Sequence, residues 1–144
     1  MSEKHLYEVS VNWNSEKKGT MSAPGLSSVE VATPPEFPGG HAGIWSPEHL
    51  FVGAVNSCFM TTFLAIAANS KLEYADFQTR AVGTLETVEG KFMISEITIE
   101  AVTKIRDESQ REKALKVMEK SEKACLISNS VKTAVHLKAS VEVA

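Results

Sequence analysis

Two cysteines stand in this chain of 144 residues, Cys58 and Cys125. An ionised thiol is a nucleophile that peroxides oxidise readily, whereas a protonated one in apolar surroundings is only a small hydrophobe. Cys58 lies among Asn56, Ser57 and Thr61 in an otherwise apolar stretch. Polar groups in such a stretch need hydrogen-bond partners, and they point to a polar pocket around the sulfur. Cys125, in ACLISNS, is either a core-facing residue at a helix end or a second thiol that resolves an oxidised first one. The spacing excludes a C-x-x-C motif and leaves a contact made by folding.

Other candidates carry less. Glu48 falls in the first turn of a helix, where a carboxylate already complements the helix dipole. His5, His41, His49 and His136 show no metal-ligand spacing with the cysteines, so no metal site is expected. A Cys–His pair using His41 or His49 has no local motif behind it. The run PPEFPGGHAG lacks the context of a phosphate-binding loop, and no cofactor is expected. A net charge of −3 gives no basic footprint for nucleic acid or an anionic membrane. The opening MSEKHLYEVSV is charged and then alternates, unlike a secretory signal, which predicts a cytoplasmic location. In a reducing compartment two cysteines do not form a permanent staple.

The element that must position Cys58 is the stretch Ser46 to Ser70. Ser46 caps it and Pro47 suits its first turn. Trp45 and Leu50 have hydrophobic-staple spacing. No charged side chain occurs from His49 to Ser70. A helix apolar on nearly all sides is a buried one. It is long enough to approach a bilayer's thickness, but Asn56, Ser57, Thr61 and Thr62 interrupt it and no Lys/Arg cluster flanks it. The reading is the central helix of a soluble protein.

Around this helix the period is two. His5, Tyr7, Val9, Val11 and Trp13 predict a first strand. Pro24-Gly25 followed by Val29 and Val31 predicts a hairpin. Pro34 to Gly43 is one long loop leading into the helix. Phe77 to Val88 and Phe92 to Ile105 read as strands joined at Glu89-Gly90, with Ile97, Ile99 and Ala101 inward. Asp107 to Gln110 has capping-box form and opens a helix with Ala114, Leu115, Met118 and Ser121 on one side. Val131 to Val143 reads as a last strand. The order predicts a single α+β domain over 1–144, with antiparallel sheet. One sheet leaves part of the apolar helix uncovered, so a homodimer is expected.

The segment PGGHAGIWSPEHLFVGAVNSCF resembles the signature of the OsmC/Ohr family (osmotically inducible protein C and organic hydroperoxide resistance proteins). There a Gly-rich loop leads into (T/N/S)-P-E-x-L, and a Cys follows ten residues after the Glu. EKACLISNSVK resembles the second family motif, A-x-x-C-P-x-S. The resemblance implies β-sheets wrapped around long central helices in an intertwined homodimer. It implies reduction of organic hydroperoxides in stress defence, with Cys58 peroxidatic, Cys125 resolving, and Glu48 the carboxylate that holds a catalytic Arg. The implied partners are a hydroperoxide substrate and a dithiol reductant, a lipoylated protein or a thioredoxin-like one.

Two residues depart from the pattern. The family Arg comes from the region before the central helix, and this chain has no Arg before Arg80. Lys17, Lys18, His41 or helix-terminal dipoles would have to replace it. Leu126 stands where the family usually has Pro. The missing Arg favours an alternative: a non-enzymatic scaffold that binds an apolar ligand or senses oxidants stoichiometrically. Glu48 and Cys58 are ten residues apart, ~15 Å along a straight helix. A site using both therefore calls for Glu48 of one subunit and Cys58 of another.

Overall fold

The computed structural model describes residues 3–144. The chain divides into two compact units, Met1–Leu50 and Phe51–Ala144. The fold is α+β, as the order of elements predicts.

The first unit holds a sheet of three antiparallel strands, β1 (Ser10–Ser15), β2 (Lys18–Ser22) and β3 (Val29–Ala32), in the order β1-β2-β3. β1 is shorter than the alternation from His5 suggests. Its last pairing is Ser10 with Ser22, where β2 ends, so His5, Tyr7 and Val9 have no strand to pair with. Glu16 (φ 50°) makes the turn, and the Trp13 indole N–H donates to its carbonyl at 2.9 Å. The long loop after β3 is folded upon itself. Phe37 N–H bonds to Pro34 O, Gly40 N–H to Phe37 O, and His41 N–H returns to Thr33 O. Gly40 packs against the Pro34 carbonyl so closely that no Cβ fits there. Lys17 donates to Pro38 O at 2.7 Å, holding the loop from the β1–β2 turn. The loop ends where Trp45 bridges Val31 and accepts the Ala32 N–H.

α1 (Pro47–Asn69) opens at the end of the first unit. Ser46 caps it as predicted, its Oγ accepting the His49 N–H at 3.1 Å. The second unit contains the rest of α1, a sheet of β4 (Asp76–Val88), β5 (Lys91–Ile105) and β6 (Ala134–Val143), and α2 (Arg111–Ala124). Strand order is β4-β5-β6. The β4–β5 hairpin turns at Glu89-Gly90, both with positive φ. β5 and β6 pair in parallel, which corrects the expectation of wholly antiparallel sheet. The α2 crossover carries the chain back to the starting end of β5, as a parallel pair requires. The last strand is also shorter than expected: its pairing with β5 begins only at Ala134, opposite Glu96.

One face of this sheet carries the core. Ile97, Ile99, Ala101, Thr103 and Ile105 alternate inward along β5. Val55, Phe59, Phe63 and Ala67 of α1 and Ala114, Val117 and Met118 of α2 complete the cluster. Phe63 stacks on Phe77 with ring centroids 3.9 Å apart. Gly83 marks the close approach of helix to strand: a Cβ there would lie 2.6 Å from a Val52 methyl. Phe59 is fully buried in this core. The α2 start departs in detail. Asp107 caps Ser109 N–H at 3.0 Å, but Gln110 does not close the box and accepts from Glu73 N–H instead.

By length and composition α1 is apolar enough to cross a bilayer, with a mean hydropathy of 1.8. Only 22% of that stretch is buried within the chain. The buried residues form one stripe at four-residue spacing, so most of the helix's apolar surface faces outward.

Candidate functional site

Cys58 follows Val55 and precedes Phe59 on α1, at the edge of the buried stripe, and is half-buried. The polar residues around it divide between two tasks. Asn56 pins α1 to β4, donating to Thr79 O at 3.2 Å and accepting the Thr79 hydroxyl at 2.7 Å. Ser57 and Thr61 satisfy themselves on their own helix, at Ala54 O and Cys58 O. Thr62, one turn on, brings its hydroxyl to 3.9 Å from the Cys58 sulfur.

The opposing wall is the turn after α2. Cys125 ends the helix with an extended backbone (φ −63°, ψ 114°) and is fully buried. The turn is tied down by Asn129 N–H to Cys125 O at 3.1 Å and Ser130 N–H to Ile127 O at 3.0 Å. The Ser130 hydroxyl also donates to Leu126 O at 2.7 Å, and Ile127 packs against the core. Among the influences on the Cys58 thiol are the N–H groups of Leu126 and Ile127 and the Cys125 thiol from this turn.

The electrostatics separate the two thiols. Burial is the largest single influence on Cys58 and pushes it up. The Ile127 N–H, the Cys125 thiol, the Thr62 hydroxyl and the Leu126 N–H together outweigh burial and hold Cys58 below an ordinary thiol. Cys125 moves the other way. Burial pushes it up, and facing the Cys58 sulfur reinforces this against the Ser128 hydroxyl and N–H. The pair therefore consists of one thiol disposed to ionise and one disposed to keep its proton, within hydrogen-bonding reach of each other.

Glu48 belongs to the first unit, in the first turn of α1. Its Oε1 is buried without a hydrogen-bond partner, and so is Nε2 of His41. Lys17, a candidate replacement for the family Arg, is engaged with Pro38 O. His49 Nδ1 lies 2.7 Å from the Ser46 hydroxyl, and its ring meets Trp45 edge-on. Those two rings with Gly43 and Ile44 line a shallow cavity of about 310 Å³. Among the described residues no cluster of three or more His, Cys, Asp or Glu is placed to hold a metal.

Sequence reasoning named both thiols. It missed the backbone donors at 126 and 127, since every residue except Pro carries an N–H and residue type gives no signal of where it points.

Fold and site together define a class: small α+β proteins with a thiol on a long central helix facing a second thiol beyond the next helix. The chain belongs to the OsmC-like protein family, whose pattern matches residues 40–140. It is 30% identical over 142 residues to the uncharacterised protein YmaD of Bacillus subtilis, covering 95% of this chain and 93% of that one. Its fold is similar to that of an OsmC-like protein of unknown function from Vibrio cholerae, with TM-score 0.84 and 24% identity over 96% and 99% of the two chains. It is also similar in fold to an organic hydroperoxide resistance protein from Elizabethkingia anophelis, with TM-score 0.78 and 18% identity over the whole of both chains.

Proposed function

We propose that this protein reduces organic hydroperoxides with a pair of thiols, in peroxide or stress defence. The observation that carries the reading is the opposed ionisation of Cys58 and Cys125 at hydrogen-bonding reach. Family membership and the hydroperoxide resistance proteins that share the fold support it.

In this reading the Cys58 thiolate attacks the terminal peroxide oxygen. The O–O bond breaks, the alkoxide leaves and takes a proton from solvent, and the sulfur becomes a sulfenic acid, oxidised by two electrons. Cys125 then displaces the sulfenic oxygen as water, and a disulfide forms. An external dithiol, a lipoylated or thioredoxin-like protein, reduces it by exchange. Cys125's retained proton keeps the resolving thiol from competing for peroxide.

The active form is a homodimer in the cytoplasm. A second copy covers the apolar surface that α1 leaves outside its own chain. In the first unit, Val11 and Trp13 of β1, and Leu6 and Tyr7 before it, are exposed as well. Size-exclusion chromatography with light scattering at micromolar concentration tests this; a monomer overturns it.

The alternative, stoichiometric oxidant sensing or ligand binding without turnover, draws on the partnerless Glu48 oxygen and the absence of an Arg before Arg80. Turnover of cumene hydroperoxide with a dithiol donor separates the two. Catalytic turnover that vanishes in Cys58→Ser supports the enzyme, and a single turnover per chain supports the sensor.

A further inference from the structure

Thr61 and Thr62 follow Cys58 on α1, and their hydroxyls go to different atoms of it. A threonine inside a helix ordinarily returns its hydroxyl to a carbonyl of the preceding turn. Thr61 does so, donating to Cys58 O at 3.1 Å. The helix ladder brings the Thr62 N–H to the same carbonyl, so both of its lone pairs are taken. Thr62, for which that carbonyl lies four residues back, instead sets its Oγ1 3.9 Å from the Cys58 sulfur. Among the described residues that sulfur is the partner of the Thr62 hydroxyl. Thr62 and Cys58 are both half-buried, so water does not fully solvate either group.

We propose that Thr62 is a positioning residue for the Cys58 thiolate, its hydroxyl donating to the sulfur across one turn of α1. In the neutral pair either atom can donate. An ionised sulfur has no proton to give, so the hydroxyl must then be the donor. A hydrogen bond made to the charged form favours that form. Such bonds are shorter and roughly twice as strong as neutral ones, so the contact tightens on ionisation. The titratable group that bears on Cys58 is Cys125, beyond α2, and no charged side chain is among the influences on the thiol. The inference rests on the proposed role of Cys58, since it names a group that stabilises the form that attacks peroxide.

The test compares Thr62→Val, which keeps the branched shape and removes the hydroxyl, with Thr62→Ser, which keeps the hydroxyl and removes the methyl. The readout is the pH dependence of Cys58 alkylation, followed by peptide mass spectrometry with no peroxide present. Thr62→Val is expected to raise the midpoint by roughly half a pH unit, a threefold smaller thiolate fraction on its acid side. A thiolate freed of a donor is also the better nucleophile, so the plateau rate at high pH should rise about 1.7-fold. Thr62→Ser should keep both the wild-type midpoint and the wild-type plateau. A Thr62→Val midpoint that does not move overturns the proposal, even where the rate falls by one factor at every pH, which is a change of access. So does a midpoint that rises as far in Thr62→Ser, which assigns the effect to packing of the methyl group.

Salt supplies a second check. A hydroxyl in contact with the sulfur is a neutral donor that mobile ions do not screen. The gap between wild-type and Thr62→Val midpoints should therefore persist to ~1 M salt, where the Debye length is ~3 Å. A gap that closes as salt rises overturns the proposal and assigns the effect to a charge. Neither measurement depends on turnover. The expected midpoints in a protein that turns over no hydroperoxide leave the inference standing and remove the peroxidase reading. A working peroxidase with an unmoved Thr62→Val midpoint does the reverse.

Discussion

Cys58 on α1 and Cys125 beyond α2 face each other with their ionisation biased in opposite directions. Burial acts on both, but only Cys58 receives enough hydrogen-bond donors to overcome it. The turn joining α2 to β6 supplies three of those donors and also carries the thiol that reacts next. Donor and resolving group are therefore positioned by one short, well-tied segment.

The pH dependence follows from these directions. A thiol whose pKa is lowered exists more as thiolate at pH 7 than one at the usual ~8.5. Cys58 should alkylate faster at pH 7 than an unperturbed thiol, with its midpoint at lower pH. Cys125 should alkylate later, with its midpoint above the ordinary value. Peptide mapping after iodoacetamide pulses across the pH range reads both. Coincident midpoints count against the assignment of roles.

One equivalent of an organic hydroperoxide, without reductant, should produce an intramolecular disulfide between Cys58 and Cys125. Mass spectrometry of peptides from the unreduced protein detects it. In Cys125→Ser, one equivalent should leave Cys58 as sulfenic acid, and a second equivalent should carry it to sulfinic acid, because no thiol intercepts the sulfenic acid. Sulfinic acid at Cys58 in the wild type, with Cys125 still free, rules out resolution.

The stacked pair Phe63–Phe77 sits at the centre of the second unit's core. Phe63→Ala removes a fully buried ring and leaves a cavity, with an expected loss of ~3–5 kcal/mol in urea unfolding. Ser46→Ala deletes the α1 cap and should lose ~0.5–2 kcal/mol. An effect of Ser46→Ala as large as that of Phe63→Ala would contradict this ranking.

Mixed dimers test whether Glu48 acts across subunits. Glu48→Gln and Cys58→Ser chains, each inactive alone, are combined. If Glu48 serves the partner's Cys58, the heterodimer contains one complete site and should recover about half the wild-type rate, counted as one of two sites in a symmetric dimer. No recovery overturns a Glu48 that acts across subunits.

Sequence alone determined the central helix, because Ser46-Pro47 and a charge-free run specify a capped, mostly apolar helix through purely local chemistry. It determined β4 and β5 closely, since period-two alternation ends at Glu89-Gly90 and the inward residues Ile97, Ile99 and Ala101 lie on one face. It also named the family, whose motifs fall on contiguous residues. The extent of β1 was not legible, because a strand ends where its neighbour does, and β2 stops at Ser22. The parallel pairing of β6 was not legible either, because alternation is the same whichever way a strand runs. Only the tertiary structure brought Cys125 to Cys58 and set the Leu126 and Ile127 N–H groups among the influences on its thiol. The reason is physical: side-chain type is written residue by residue, but the direction of a backbone N–H is set by how the whole turn is tied to its surroundings.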